Sequence, residues 1–207
     1  MTSGPSRPYL GLIQSPVAVG LRLDERGVPE WADSPDRLRP VRYIGAVLTI
    51  DAAILDAIVT HARRDHPDEA CGIVTGTVGT DQPTRHIPMQ NAAQSMTFYE
   101  FDSHDYLRVW REMDDLDEEP VVIYHSHTAT EAYPSRTDVS YAGWPDAHYL
   151  LVSTRDPETT EVRSYRIVDG EVTEEPVRLL NATVDSMAVQ SYMFGHDPAS
   201  VDYECRA

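Results

Sequence analysis

The stretch from His125 to Asp138, HSHTATEAYPSRTD, constrains the fold more than any other part of this chain. It follows Pro120-Val-Val-Ile-Tyr124, a short apolar run of the kind that forms a buried strand. His125 and His127 are two residues apart, so on an extended backbone both imidazoles point to the same side. The fold must therefore present two imidazoles together at the end of a buried strand.

Ser135 and Asp138 are three residues apart, which places them on one face of the first turn of a helix. His125, His127 and Asp138 then offer two nitrogens and one carboxylate oxygen, which leaves a fourth tetrahedral position for water. Such an open set of three protein ligands is typical of a catalytic zinc site, whereas structural sites are closed. Each part also has an ordinary explanation, because a His-x-His pair is often incidental and Ser-x-x-Asp resembles a helix cap.

The acidic charge of the chain argues against several kinds of partner. Its 207 residues carry a formal net charge of −17, and all 17 basic residues are arginines. Nucleic acids and anionic membranes are bound through a basic footprint, so neither is an expected partner. No apolar stretch approaches the length of a membrane span, and the first residues, MTSGPSRPYL, lack the pattern of a signal peptide. We expect a cytoplasmic protein.

A chain of this length is sufficient for one domain with appendages. We predict an N-terminal arm over residues 1–42, a domain over 43–180 and a C-terminal tail over 181–207. Mixed strands with two long helices and a short one predict an α/β sandwich in which helices flank a mixed, mostly antiparallel sheet.

The periodicity of apolar residues and the turn signals predict the elements of this domain. A first helix is predicted from a Thr49 cap to about Arg64, and a second from a Ser103 cap, with an apolar face of Tyr106, Leu107, Trp110 and Met113. The acidic run from Asp114 to Glu119 is expected to end the second helix as a solvated surface. Further strands are predicted at Cys71–Gly76, Arg85–Met89, His148–Ser153 and Val162–Val168, with a tight turn at Asp169–Gly170 into a last strand at Val172.

The spacing of the central stretch resembles the signature of the JAMM (MPN+, JAB-domain) metalloproteases. In that family, His-x-His is followed after seven residues by Ser-x-x-Asp, as in His125-Ser-His127 and Ser135-Arg-Thr-Asp138. The resemblance covers about residues 43–180 and is closest to bacterial Mec-type members that process ubiquitin-fold sulfur-carrier proteins. The supporting stretches are His61 to Gly72, His86-Ile-Pro-Met89, Tyr124 to Val139 and Pro145-Asp-Ala-His-Tyr149. A JAMM-type α/β/α sandwich is the fold that this resemblance implies.

The resemblance also implies a role for each site residue. His125, His127 and Asp138 would bind Zn²⁺. Glu69 stands at the family's upstream catalytic glutamate and would take a proton from water and pass it to the departing amine. Ser135 would donate a hydrogen bond to the oxyanion of the tetrahedral intermediate. The other histidines lack a partner motif or a suitable spacing, and His148, at a strand start, is expected either to support the site residues or to be structural.

The expected substrate likewise follows from the resemblance. The family cleaves amide bonds after the glycine end of ubiquitin-like tails, so the expected partner is a ubiquitin-fold sulfur-carrier protein with a Gly-Gly C-terminus. The resemblance leaves open whether the leaving group is cysteine or a few C-terminal residues. It also leaves open whether the protein forms a homodimer. Two alternatives are an inactive binding scaffold of the same fold and a deubiquitinase-like isopeptidase acting on other ubiquitin-fold modifiers. DNA-repair-associated relatives of the same fold typically have His-Pro-Ser-Gly after the first histidines. This chain has Thr128-Ala-Thr130 in its place, which argues against such a role.

Overall fold

The computed structural model describes residues 47–182, which form three helices and eight strands. In chain order these are β1 (Leu48–Asp51), α1 (Ala52–Asp65), β2 (Cys71–Thr77), β3 (Arg85–Met89), α2 (Ser103–Asp115), β4 (Glu118–His127), α3 (Arg136–Tyr141), β5 (His148–Ser153), β6 (Glu161–Val168), β7 (Glu171–Glu175) and β8 (Val177–Leu180). None of the helices in this range has the length and hydropathy needed to cross a membrane. The arm predicted over 1–42, and nearly all of the tail predicted over 181–207, lie outside the described residues.

Six of the strands form one sheet in the order β3-β2-β4-β5-β6-β7. Within it only β4 and β5 run parallel, and the other four neighbouring pairs are antiparallel. A parallel pair needs a crossover connection, and the segment containing α3 supplies it. β1 and β8 pair in parallel as a separate two-stranded sheet. The prediction of an α/β fold with a mixed, mostly antiparallel sheet is confirmed.

Successive residues of the central strands point to opposite faces of this sheet. On one face, Val74 and Val122 pack in a cluster with Ile58 of α1. On the other face, Ile73 packs with Met113 of α2, and α3 adds the partly buried Val139 to the neighbouring cluster. Helices therefore cover both faces, as the predicted α/β/α sandwich requires.

The two histidines of β4 lie on the face covered by α2 and α3. His125 is opposite Cys71 in the antiparallel pairing with β2 and opposite Leu151 in the parallel pairing with β5. Cys71 and Leu151 both pack on that face. His127 is the last residue of β4, two residues further along. Both imidazoles are thus on the same side of an extended strand, which confirms the prediction from their spacing.

The predicted start of the first helix is wrong. Asp51, not Thr49, is the N-cap of α1, and its carboxylate accepts a backbone N–H at 2.8 Å. Leu48 and Ile50 are fully buried and belong to β1, whose pairing partner is β8. Ile50 also has the helical spacing of the residues that follow it, but pairing with a distant strand outweighs that local pattern.

The predicted cap and apolar face of the second helix also need correction. Asp102, not Ser103, is the N-cap of α2, and its carboxylate accepts two backbone N–H groups at 3.0 Å. A carboxylate suits this position because it also interacts favourably with the positive end of the helix dipole. Val109 is buried in the core, whereas the predicted Leu107 is only partly buried.

The acidic run after α2 is only partly the solvated surface that we expected. Glu118 is the first residue of β4 and accepts hydrogen bonds from Arg85 Nε at 2.8 Å and Thr75 Oγ1 at 2.9 Å. Its side chain is 14% exposed. A carboxylate that is paired with a guanidinium can be largely buried in a strand. The pattern of charges in the sequence therefore does not predict the burial of Glu118.

The C-terminal hairpin agrees with its prediction except for its length. Asp169 and Gly170 have φ values of 51° and 83°, the left-handed conformation that a two-residue turn between β6 and β7 needs. β7 was predicted as the last strand, but β8 follows it and pairs with β1. The strands predicted at Cys71–Gly76, Arg85–Met89 and His148–Ser153 are confirmed.

Candidate metal and catalytic centre

Three side chains from two elements converge at the end of β4. The Nε2 atoms of His125 and His127 are 3.1 Å apart. Asp138, in the first turn of α3, places Oδ1 3.5 Å from the His125 nitrogen and Oδ2 3.4 Å from the His127 nitrogen. The structure therefore brings together the three ligands that the sequence predicted.

These separations suit a single metal ion. Ligand atoms about 2.0–2.1 Å from a tetrahedral zinc ion lie about 3.4 Å from one another, close to the 3.1–3.5 Å observed here. Burial alone would raise the pKa of Asp138, but hydrogen bonds with His125 and His127 hold it well below its usual range. Two imidazoles and an anionic carboxylate fit Zn²⁺ and leave one position open.

The ring of His127 is oriented by the loop that follows β4. Its Nδ1 lies 2.8 Å from the carbonyl oxygen of Glu131. A carbonyl only accepts, so Nδ1 carries a proton, and Nε2 is the nitrogen that can bind a metal when the ring is neutral. Ser153 Oγ donates to the carbonyl of the neighbouring Thr130 at 2.5 Å, which holds the loop in place. Metal-binding histidines usually show this kind of N–H···O=C bond.

The ring of His125 is oriented by aromatic packing. It stacks on Tyr99, with ring centroids 4.6 Å apart and planes inclined by 24°. His125 is 1% exposed, and its Nδ1 has no hydrogen-bond partner among the described residues. The contact with Tyr99 therefore does for His125 what a hydrogen bond does for His127.

Ser135 links the ligand cluster to the start of α3. As the N-cap, its Oγ accepts the Asp138 N–H at 3.2 Å, and its own N–H donates to Asp138 Oδ2 at 2.6 Å. The predicted helix cap is confirmed, and it fixes the same carboxylate that faces the histidines. Because Oγ is the acceptor in this cap, its O–H proton stays available to donate elsewhere. The cap and a catalytic role are thus compatible.

Glu69 lies in the short connection between α1 and β2, where hydrogen bonds hold the backbone. Its N–H donates to the Ser95 carbonyl at 2.9 Å, and its carbonyl accepts from Asn91 Nδ2 at 2.9 Å. The next residue, Ala70, donates its N–H to Ser126 Oγ at 2.8 Å. Ser126 stands between the two histidines in sequence, so the strand that presents the ligands also fixes this connection.

Burial gives the Glu69 carboxyl an unusual proton affinity. The residue is 5% exposed, and burial raises its pKa to about 7. The charge of Asp138 raises this pKa further, whereas His127 opposes the rise. A carboxyl that titrates near neutral pH can both take up and release a proton, as a general base and acid must.

Comparison with known families agrees with this architecture. The family model described as prokaryotic homologs of the JAB domain matches residues 51–168, a range that contains the whole candidate site. The chain belongs to the prokaryotic JAB-domain family. The predicted resemblance is therefore confirmed at the level of the family.

Individual JAB-domain relatives and a solved structure extend this comparison. The chain is 68% identical over 134 residues to the CysO-cysteine peptidase of Mycobacterium tuberculosis, a match covering 65% of this chain and 92% of that protein. It is 32% identical over 111 residues to the desampylase of Haloferax volcanii, covering 51% and 80% of the two chains. A solution structure of a protein from Desulfitobacterium hafniense is 29% identical, with a TM-score of 0.58 over 66% of this chain and 95% of that one.

Sequence reasoning missed the residues that hold this JAB-domain site in place. These are Asn91 and Ser126, which fix the connection carrying Glu69, and Tyr99, which stacks on His125. Ser126 alone had a local signal, because a residue between two histidines on a strand must point to the opposite side. Asn91 and Tyr99 act across long sequence separations that spacing does not reveal.

His148 lies in a different cluster of the JAB domain. It is fully buried at the start of β5, with Nδ1 2.6 Å from Glu175 Oε2 and Nε2 3.1 Å from Asp81 Oδ1. Arg166 Nη2 lies 2.8 Å from the same Nε2. This network joins β5, β6 and β7 to the loop between β2 and β3, which is the structural role expected of it.

Proposed function

We propose that this chain is a zinc peptidase that cleaves the amide bond after the C-terminal glycine of a ubiquitin-fold sulfur-carrier protein. The observation that carries the proposal is the convergence of His125, His127 and Asp138 within 3.1–3.5 Å beside the buried Glu69 carboxyl. A binding scaffold of the same fold would not need three oriented ligands and a carboxyl titrating near neutrality. The intact set therefore favours an enzyme over the scaffold.

Glu69 is the residue that moves protons in this proposal. Zinc held by His125, His127 and Asp138 would supply Lewis-acid chemistry and would lower the pKa of water from about 15.7 to near 7. The Glu69 carboxylate takes a proton from the attacking water and passes it to the departing amine. Its pKa of about 7 suits both steps near neutral pH.

Ser135 stabilises the oxyanion that develops on the carbonyl oxygen of the scissile amide. Its Oγ accepts in the helix cap, and its O–H is directed by neither hydrogen bond of the cap. An O–H donor to a developing oxyanion acts mainly in the transition state, and losing one such donor costs roughly 3 kcal/mol in comparable sites. The cap holds this hydroxyl next to the Asp138 ligand.

The relatives support the class of substrate. The mycobacterial relative, 68% identical, is named a CysO-cysteine peptidase, and the JAMM signature resembles that of peptidases acting on sulfur carriers. We propose cysteine or a few C-terminal residues as the leaving group. The relative named a desampylase is 32% identical to this chain. It supports a second candidate substrate, which is an amide bond to another ubiquitin-fold modifier.

The test uses the zinc-loaded protein and a purified ubiquitin-fold carrier protein that ends in Gly-Gly-Cys. We expect intact-mass analysis to show loss of the cysteine and a carrier that ends in Gly-Gly. In Glu69→Gln the shape is kept and the base is lost, so the rate should fall by at least about 10²-fold. The zinc content of the variant should stay near one ion per chain.

Glu131→Gln is the matched control, because this exposed glutamate contacts His127 through its carbonyl and not through its carboxylate. Its activity should be close to that of the wild type. Full activity in Glu69→Gln would exclude Glu69 as the base. A zinc-loaded wild type that leaves the carrier intact would overturn the proposed function itself.

A further inference from the structure

A pocket of about 460 Å³ lies beside Glu69, between the C-terminal end of α1 and the end of β3. Its polar lining comes from the end of α1, from the α1–β2 connection and from the segment after β3, and it includes Arg64, Asp65, Asp68, Glu69, Asn91 and Gln94. Among the five candidate site residues, Glu69 is the one that lines it. The pocket therefore shares one residue, Glu69, with the candidate reaction centre.

The role of Glu69 decides which half of the substrate belongs in this pocket. The residue that hands a proton to the departing amine must lie within hydrogen-bond reach of that nitrogen. The group attached to the amine then extends past Glu69, whereas the carbonyl oxygen faces Ser135 and the metal ligands. The pocket consequently lies on the leaving-group side of the scissile bond.

The size of the pocket favours a small leaving group. Pockets that hold small molecules enclose about 300–1,000 Å³, and this one, at about 460 Å³, is in the lower half of that range. A single amino-acid residue or a very short peptide fits such a volume. A folded protein would instead contact the surface around it.

Arg64 supplies the pocket with hydrogen-bond donors suited to a carboxylate. Its Nε donates to Asp65 at 2.7 Å, and its two terminal nitrogens have no hydrogen-bond partner among residues 47–182. A guanidinium presents paired N–H donors that match the two oxygens of a carboxylate. The side chain is 66% exposed, so it can turn toward a ligand at little cost.

The acidic residues of the pocket are compatible with such a ligand. Asp65 accepts a hydrogen bond from Arg64 Nε at 2.7 Å and lies 3.0 Å from His61 Nε2, so each of its two oxygens already has a neighbouring donor within the protein. Asp68 and Glu69 also line the pocket. A free amino acid carries an ammonium and a carboxylate, and a pocket with both signs of charge complements both groups.

We propose that this leaving-group pocket takes a single C-terminal amino-acid residue and that Arg64 binds its α-carboxylate. The proposal rests on the peptidase function proposed above and specifies which amide bonds are cleaved. Hydrolysis breaks the C–N bond after glycine, forms a C–O bond to the oxygen of water, and transfers a water proton through Glu69 to the leaving amine. The product is one free amino acid.

This assignment separates two kinds of cleavage. The residue after the scissile bond of a carrier that ends in Gly-Gly-Xaa has its α-carboxylate next to the leaving amine. A lysine in an isopeptide bond leaves through its side-chain amine, which has no carboxylate in that position. Arg64 therefore favours removal of one terminal residue over release of a second protein.

The test compares two semisynthetic carrier substrates that end in Gly-Gly-Cys, one with a free carboxylate and one with a carboxamide. Zinc-loaded wild type should prefer the acid by about tenfold in kcat/KM, the size expected for one charge-assisted contact at an exposed site. Arg64→Gln should lose about tenfold on the acid, mainly through KM, and nothing on the amide. Arg111→Gln, which changes an exposed arginine of α2, should alter neither value.

Each other outcome has a definite meaning. Equal losses on both substrates in Arg64→Gln would leave Arg64 only a structural role, and equal wild-type rates on acid and amide would also overturn the assignment. Arg64→Lys keeps the charge and should restore part of the acid preference. A wild type that cleaves neither substrate would overturn the proposed peptidase function and the pocket's role with it.

Discussion

At the scale of single residues, the two candidate zinc-binding histidines are held in different ways. His127 donates a hydrogen bond to the Glu131 carbonyl at 2.8 Å, whereas His125 stacks on Tyr99 with centroids 4.6 Å apart. Each contact fixes a ring so that its Nε2 faces Asp138. The geometry of the metal site therefore depends on residues that are not themselves ligands.

Removing the ring of Tyr99 should weaken zinc binding. In Tyr99→Leu the His125 ring loses its stacking partner and can rotate, because its buried Nδ1 has no hydrogen-bond partner among the described residues to hold it. Loss of a contact that orients a metal ligand typically costs 10–100-fold in metal affinity, and we expect about tenfold here. Competition with a chromophoric zinc chelator measures this affinity directly.

Two variants control for effects other than stacking on His125. Tyr99→Phe keeps the ring and should retain most of the affinity. Tyr106→Leu removes a ring that stacks on Phe101 instead, so it should leave zinc binding near the wild-type value. Wild-type zinc affinity in Tyr99→Leu would contradict the orienting role of Tyr99.

The spacing of residues in the sequence predicted the candidate metal ligands but not the residues that orient them. His-x-His on a strand and Ser-x-x-Asp at a helix start are local patterns, and local geometry determines their direction. Glu69 could be placed only through the family resemblance, because nothing in its own neighbourhood distinguishes it from a surface carboxylate. Asn91 and Tyr99 reach the site through tertiary contacts alone.

At the scale of elements, β4 organises both faces of the sheet. Tyr124 precedes His125 and points to the face covered by α1, where its hydroxyl lies 2.7 Å from His61 Nδ1 and 2.8 Å from His86 Nε2. A Cβ on Gly72 would come within 2.4 Å of that hydroxyl, so β2 needs glycine where the ring crosses it. The strand thus joins the candidate metal site to a chain of polar groups on the other face of the sheet.

This chain of polar groups should make stability depend on pH. Burial, with a smaller effect of His61, lowers the pKa of His86 to about 4. An unfolded chain, with a histidine pKa near 6.5, binds the proton first as the pH falls, so this contribution is present above 6.5 and lost on acidification. Between pH 7 and pH 5 the wild type should lose on the order of 2 kcal/mol of unfolding free energy through this group.

Urea unfolding at the two pH values tests this expectation. His86→Gln keeps an N–H donor for Tyr124 but does not titrate, so its free energy of unfolding should fall less than that of the wild type. His104→Gln, an exposed histidine of α2, is the matched control and should follow the wild type. Identical pH dependence in the wild type and His86→Gln would contradict the expectation.

Elements with local boundaries were predictable, and elements formed by distant partners were not. Glycines and turn residues bound β2, and a two-residue turn of Asp169 and Gly170 connects β6 and β7, so the sequence located these strands. β1 and β8 exist because they pair with each other from opposite ends of the described residues. A short apolar stretch such as the one around Ile50 fits a helix or a strand until its partner is known.

At the scale of the whole molecule, the candidate site lies within the range that the JAB-domain family model matches, residues 51–168. The match to the mycobacterial peptidase covers 65% of this chain, so about a third of the chain lies beyond it. The formal charge of −17 belongs to the full chain and opposes nucleic-acid binding wherever the site lies. All five candidate site residues therefore lie within the described residues.

The central claim is that one zinc ion at His125, His127 and Asp138 is required for cleavage. The most direct measurement is a zinc titration of the metal-depleted 207-residue chain, with cleavage of the Gly-Gly-Cys carrier followed by intact mass. Activity should rise in proportion to added zinc and level off at about one equivalent, and Asp138→Asn should need far more zinc. Full activity without zinc, or wild-type zinc affinity in Asp138→Asn, would contradict the account.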